Sequence, residues 1–97
     1  FRWLHTTAGA LADVAQIAEA EVGAVAWVVT REQVIDECWF GATVSPPVRA
    51  RLGDVALVAR EAVTFHEDAD SGSYQLICRH GSLTSAEVNV PLLAGTA

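Results

Sequence analysis

The feature that most constrains the fold of this chain is an unbroken apolar run with helical patterns on both sides. The run, Ala24–Val29, has no alternating polar residues and is typical of a β-strand covered on both faces. Before it, Ala10–Val22 repeats apolar residues at helical spacing. After it, Thr30–Gln33 matches a capping box, and we expect the helix that it starts to end near Trp39–Gly41. A strand between two helices predicts an α/β fold.

Short β-rich runs predict the other strands. They are Arg2–Thr6, Asp54–Ala59, Ala62–His66, Tyr74–Cys78 and Val88–Leu93. Only Arg60 and Glu61 separate the second run from the third, which predicts a hairpin, and Pro91 confines the last strand to a sheet edge or a bulge. Ser45–Val48 has the residues of a helix start with prolines in its first turn, and Thr84–Glu87 matches a second capping box that opens one helical turn. Together these elements predict a small α/β sandwich.

Charge and hydropathy argue against several classes of partner. The chain has 97 residues, with 12 Asp and Glu against 6 Lys and Arg, and a net charge of −6. This balance argues against a nucleic-acid surface, which needs a basic face, and against anchoring on an acidic membrane. No apolar run reaches the roughly 18 residues that a membrane-spanning helix needs.

Two features predict that the chain belongs to a larger protein. It contains no Met, and its first residues already have the pattern of a strand, with no leader visible before it. A chain of this length buries roughly 60–65% of its unfolded surface, and no disulfide framework or metal cluster is in view. We therefore expect it to pack against something larger.

The two Cys residues, Cys38 and Cys78, lack CxxC spacing. We expect two reduced and largely buried thiols in a reducing compartment, and a structural disulfide is the alternative. With no visible leader, this predicts a cytoplasmic protein.

Three His residues are candidates for chemistry near neutral pH. His5 is expected to be a partly buried residue of the first strand, and His66 an exposed residue at the end of a hairpin strand. His80 lies in Arg79-His80-Gly81-Ser82, where the glycine allows another group to approach the ring. A loop after a strand is also where α/β enzymes place ligand-binding side chains. Two interpretations of His80 stay open at this point, a functional residue and a plain turn histidine.

Other constellations are weaker. The acidic residues Glu67, Asp68 and Asp70 are typical of a solvent-facing loop, and the spacing of Ser82, His80 and Asp54 does not support a Ser-His-Asp triad. The three Trp residues lie among apolar neighbours, as expected for core residues.

The C-terminal segment has a more specific pattern. It is Arg79-His80-Gly81-Ser82-Leu83-Thr84-Ser85-Ala86-Glu87 followed by Val90-Pro91-Leu92-Leu93. This segment resembles the end of bacterial alkaline-phosphatase-superfamily proteins, and most closely the type I phosphodiesterase/nucleotide pyrophosphatase family. Its members often end in H-G-S-L-T-P-x-E and then V-P-L-L. Ala26–Glu32, Trp39–Gly41 and Val48–Val55 also look like this family, whereas Arg79 and Ser85 stand where Gly and Pro are common.

The resemblance implies a C-terminal fragment of a metal-dependent phosphohydrolase. Family members hold two divalent metals, usually zinc, and attack phosphorus with a Thr or Ser nucleophile. The His of the H-G motif is a ligand to one metal, and this role falls on His80. The nucleophile and the other ligand motifs lie N-terminal of this region in the family, so the resemblance implies no activity for these residues alone.

The resemblance also implies an organisation. Residues 1–75 would be a cap-like α/β subdomain, and residues 76–97 the last core segment of an alkaline-phosphatase-like fold. The expected partners are the N-terminal catalytic part of the same protein, a phosphoester or nucleotide substrate, and a second copy in a homo-oligomer. The alternative is a free-standing small α/β module that binds a ligand or a protein without catalysis.

Overall fold

A three-stranded antiparallel sheet organises the part of the chain, residues 1–67 and 80–95, that a computed structural model describes. Its strands are β1 (Arg2–Leu4), β2 (Ala26–Thr30) and β3 (Val55–Ala59). Four helices accompany the sheet in these ranges, namely α1 (Leu11–Val22), α2 (Arg31–Asp36), α3 (Pro46–Arg49) and α4 (Ser85–Val88). The predicted mixed α/β class is confirmed, with a small antiparallel sheet.

The last of the three strands along the chain lies at the centre of the sheet, in the order β1–β3–β2. Ala56 of β3 pairs with Trp3 on one side and with Val29 on the other, and all five residues of β3 are buried. Because both edges of β3 are occupied, a hairpin strand that follows it directly has no edge to join. The predicted strand Ala62–His66 is accordingly wrong, since that segment forms no strand.

One face of the sheet packs against α1. The core there joins Ala18 of α1 to Val55 and Leu57 of β3, and further apolar side chains surround them. These partly buried side chains are Leu4, Val14, Ala15, Val22, Val28 and Phe65. The predicted apolar face of the first helix is therefore the one that covers the sheet.

The apolar run before residue 30 forms the edge strand β2, and one of its faces is only partly covered, so the prediction of a strand covered on both faces is wrong. Ala26 is buried, but Trp27 exposes 38% of its surface. Successive side chains of a strand alternate between faces, so Trp27 lies on the face opposite to Val28. The Arg60 guanidinium stacks 5.9 Å from the Trp27 ring centroid, and this contact replaces the expected burial.

The start of α2 is as predicted and its end is not. The Gln33 N–H donates to Thr30 Oγ1 at 3.2 Å, and the Thr30 N–H donates to Gln33 Oε1 at 2.8 Å, which completes the capping box. The helix ends at Asp36 rather than near Trp39–Gly41, because Cys38 adopts a φ of 58°. A left-handed residue cannot continue a right-handed helix.

The C-terminal tail is not the predicted closing strand. No strand forms over residues 88–95, and Val90, Leu92 and Leu93 expose 80%, 92% and 92% of their surface. Pro91 has no N–H to donate to a neighbouring strand. The predicted strand Tyr74–Cys78 lies outside the described residues. Among the helices that the structure describes, none has the length and apolar character needed to cross a membrane.

Candidate functional site

His80 begins a short irregular segment, residues 80–83, which is called the turn below and is attached to the end of the central strand. Gly81 follows His80 with a φ of 103°, a value that favours glycine because it has no Cβ. The next residue, Ser82, is buried, and its hydroxyl donates a hydrogen bond to the carbonyl of Ala59, the last residue of β3. The backbone of the turn is thus tied to the sheet while His80 itself stays exposed.

Glu87 holds the same turn from the other side. Its Oε2 accepts the backbone N–H of Gly81 at 2.8 Å and that of Ser82 at 2.5 Å. The predicted capping box at Thr84–Glu87 is therefore wrong. Thr84 precedes α4 as its N-cap residue, but its side chain makes no cap hydrogen bond, and the Glu87 carboxylate is bonded to the turn instead.

Two cavities meet at His80. One has a volume of about 320 Å³ and a mixed lining, in which the polar side chains of Glu61, Ser82 and Glu87 lie beside apolar ones that include Phe1. The other has a volume of about 520 Å³ and is mostly apolar. Its walls are Phe1, Trp3, Trp39, Phe40, Leu52 and Leu83. His80 therefore lies between a concavity of mixed polarity and an aromatic one.

The aromatic cavity brings together segments that are distant in sequence. The Phe1 and Trp3 rings pack edge to face, with centroids 5.3 Å apart and planes at 71°. Trp39 and Phe40, which follow α2, form another part of the wall. The sequence prediction of a Trp core is thus only partly right, because Trp3 and Trp39 are half-buried and line a cavity beside His80.

Metal ligation by His80 needs further donors. A catalytic zinc site takes about three protein ligands. Over residues 1–67 and 80–95, no three His, Cys, Asp or Glu side chains come together in a way that could hold a metal. An imidazole nitrogen is a common zinc ligand. The described part of the chain therefore offers one ligand, His80, but not a complete zinc site.

The other two His residues do not join this site. His5 follows β1, which ends at Leu4, and it is exposed, so the predicted partly buried strand histidine is wrong. His66 is exposed, as predicted. Neither residue lines the two cavities that border His80.

Asp54 lies at the opposite end of β3 and serves a different purpose. Its Oδ2 accepts the Thr6 N–H at 2.7 Å and the Thr6 hydroxyl at 3.2 Å, and the Arg31 guanidinium lies 3.1 Å from its Oδ1. The hydrogen bonds from Thr6, aided by the charge of Arg31, hold the pKa of Asp54 below its ordinary value. Asp54 thereby joins the chain after β1 to the start of α2.

This placement excludes a triad of Ser82, His80 and Asp54. Five strand residues separate Asp54 from the hydroxyl of Ser82 along β3, and a strand of that length spans about 16 Å. A triad needs neighbouring members within hydrogen-bond reach.

Two further sequence predictions concern a thiol and an acidic loop. Cys38 is free and exposed, so its predicted burial is wrong. The early end of α2 leaves it on a surface turn. In the acidic loop, Glu67 forms an ion pair with Arg2. Asp68, Asp70, Cys78 and Arg79 lie outside the described residues.

Comparison with known proteins finds no family model, curated protein or solved structure that matches the chain. What the chain does is therefore inferred from the geometry around His80 and from the sequence pattern of its C-terminal segment.

Proposed function

We propose that this chain is the C-terminal part of a metal-dependent phosphohydrolase of the phosphodiesterase/nucleotide pyrophosphatase type, in which His80 is one ligand of a two-metal zinc centre. The observation behind the proposal is an exposed imidazole on a turn whose backbone is fixed from two sides. Ser82 ties the turn to β3 and Glu87 binds its two N–H groups. Such a turn presents a donor atom in a defined position without burying it.

The sequence pattern supports the same proposal. The turn begins the His80–Glu87 segment that resembles the C-terminal motif of the family, and the resemblance gives the His of that motif a metal-ligand role. Bound metals in such a centre polarise the phosphoryl oxygens, activate the nucleophile and stabilise the leaving group. The contribution of this chain is to hold the imidazole of His80 in place.

The remaining ligands and the nucleophile would come from a catalytic part outside these 97 residues. Phe1 and His80 line the same two cavities, so a catalytic part joined at residue 1 would begin beside His80. The exposed tail that contains Leu92 and Leu93 would then pack against that part. The finer fold assignment, a cap-like subdomain at 1–75 and a core segment at 76–97 of an alkaline-phosphatase-like fold, belongs to this proposal.

The test compares three His→Ala variants of the full-length protein that contains this chain. Bound zinc is measured by inductively coupled plasma mass spectrometry, and activity by hydrolysis of bis(p-nitrophenyl) phosphate. His80→Ala should lower the rate by roughly 100-fold or more, since loss of a residue that merely supports a metal ligand already costs about 10–100-fold. His5→Ala and His66→Ala should retain zinc and activity, because neither residue lines the cavities at His80.

Two outcomes would contradict the proposal. A folded His80→Ala protein with near-normal zinc content and rate would show that His80 is a plain turn histidine. The isolated 97-residue chain should not hydrolyse the same substrate, with or without added zinc. Activity that survives repurification and stays with this chain would show that it is not a fragment of a larger catalytic site.

The aromatic cavity is the observation that supports a second candidate function, a small α/β binding module without catalysis. Four aromatic side chains line its volume of about 520 Å³, and binding sites for small molecules are usually apolar concavities of this size. Saturable binding of an apolar ligand by the isolated chain, together with an inert His80→Ala substitution in the full-length protein, would favour this candidate over the phosphohydrolase.

A further inference from the structure

We infer that Glu87 is a positioning residue for His80, because its carboxylate fixes the turn and so directs the imidazole outward before any metal binds. The inference rests on the proposed function for what His80 does. The hydrogen bonds from the Gly81 and Ser82 N–H groups to Glu87 do not depend on that proposed function.

The first step is the convergence of two donors on one oxygen. The N–H groups of Gly81 and Ser82 are successive along the backbone, and both point at Oε2 of Glu87. Successive N–H groups in such a turn form a concavity, or nest, that binds anions. Here the chain supplies its own anion, because the single turn of α4 brings Glu87 back to the residues that precede it.

The second step is that, within residues 1–67 and 80–95, few other contacts hold His80 in place. His80 and Gly81 are exposed, so close packing does not orient the ring. The Ser82 hydroxyl anchors the far end of the turn to Ala59, but only Glu87 is shown to bind the Gly81 N–H next to His80. Hydrogen bonds to a charged acceptor are also about twice as strong as neutral ones.

The third step links the turn to ligation. A metal ligand has to be held within about 0.5 Å of its productive position. Loss of Glu87 would leave His80 present but free to change its orientation. Zinc affinity in the full-length protein should then fall by roughly 10–100-fold, the usual effect of removing a residue that supports a ligand.

The experiment uses three substitutions of Glu87 and one matched control. Glu87→Ala removes the acceptor, Glu87→Asp keeps the charge on a shorter side chain, and Glu87→Gln keeps an acceptor oxygen at the same reach. Glu61→Ala is the control, because Glu61 is an acidic residue that lines the same cavity as Glu87 and is not bonded to the Gly81 and Ser82 N–H groups.

Amide hydrogen exchange of the 97-residue chain, followed by NMR, reports the turn directly. With Glu87→Ala and Glu87→Asp, exchange at Gly81 and Ser82 should accelerate about tenfold or more, since a hydrogen bond to a charged group is lost. Glu87→Gln, which keeps an uncharged acceptor, should retain part of the protection, and Glu61→Ala all of it. The Ala56 and Val58 amides of β3 should not change in any variant, which shows that the fold is intact.

Zinc content and zinc affinity of the full-length variants give the functional result. Both should decrease across the variants in the same order as the protection of the Gly81 and Ser82 amides. Unchanged exchange at Gly81 and Ser82 in Glu87→Ala would overturn the inference. It would also be overturned if Glu87→Ala left zinc affinity intact while His80→Ala abolished it, and the proposed function would then stand. If neither substitution affected zinc, the proposed function itself would fail.

Discussion

Replacing Gly53 with Ala should destabilise the fold, because β1 passes very close to this residue. A Cβ added to Gly53 would lie 2.7 Å from the Leu4 carbonyl oxygen and 2.8 Å from the Trp3 Cβ. Neither atom can move away easily. The Leu4 oxygen accepts the Asp54 N–H at 2.7 Å, and Trp3 is paired with Ala56 in the sheet.

The size of the effect follows from two opposing contributions. Overpacking in a well-packed core costs about 1–3 kcal/mol. The lower freedom of Ala in the unfolded chain offsets about 0.4–1 kcal/mol of this. The net loss of about 1–2 kcal/mol should lower the thermal midpoint by roughly 5–15 °C in a domain of this size.

Thermal unfolding followed by far-ultraviolet circular dichroism measures this change. Gly95→Ala is the matched control, because a Cβ at Gly95 meets no atom within 4 Å, and its midpoint should not change. A Gly53→Ala protein as stable as the wild type would show that β1 does not approach Gly53 in this way. The walls that Phe1 and Trp3 give to the aromatic cavity would then need revision.

Two further predictions concern acid stability and association. Hydrogen bonds from Thr6 and the charge of Arg31 lower the pKa of Asp54 below 3.8, so the ionised carboxylate stabilises the fold above about pH 4 and this stabilisation is lost as pH falls through the lowered pKa. Urea titrations should show a steeper acid loss of unfolding free energy in the wild type than in Asp54→Asn, and equal slopes would refute this. Sedimentation velocity should show concentration-dependent association that the double substitution Leu92→Ser, Leu93→Ser reduces. Both side chains are 92% exposed, and burying each contributes about 1.5–3 kcal/mol; a wild-type chain that stays monomeric at high concentration would refute it.

The local elements could be predicted because their signals lie within a few residues. The capping box at Thr30–Gln33 depends on one helical turn, and it forms as expected. The prolines at the start of α3 have a fixed φ and no N–H, so they suit a first helical turn wherever the segment packs. The exposure of His66 followed from its polar surroundings in the same way.

The arrangement of the strands could not be predicted from such signals. An apolar run indicates burial but not position in the sheet. The run Ala24–Val29 was expected to be covered on both faces, whereas β2 lies at an edge of the sheet and β3 lies at its centre. Which strand lies at the centre depends on β1, which pairs with β3 although about half of the chain separates them in sequence. The failure of the predicted hairpin after Ala59 has the same origin, since β1 already occupies the free edge of β3.

The sequence singled out His80, whose role stays a prediction, but it did not indicate what surrounds that residue. The glycine after His80 indicated a backbone that leaves room beside the ring, and Gly81 has a φ of 103° in an exposed segment. Glu87 was assigned to a capping box because the pattern Thr-x-x-Glu fits one equally well. A Gly-Ser pair just before that pattern is a signal for the nest that Glu87 occupies. The aromatic walls depend on tertiary packing, which no local pattern reports.

The central position of β3 also determines when the sheet can form during synthesis. Both flanking strands leave the ribosome before the strand that joins them, and the pairs Trp3–Ala56 and Trp27–Val58 wait for it. Roughly 30 residues follow β2 before β3 is complete, which takes about 2–6 s at ordinary rates of translation. During that interval the nascent chain holds two apolar strands without partners, and unpaired strands invite contact with other chains. The period before Ala59 emerges is therefore when a chaperone would bind this chain most readily.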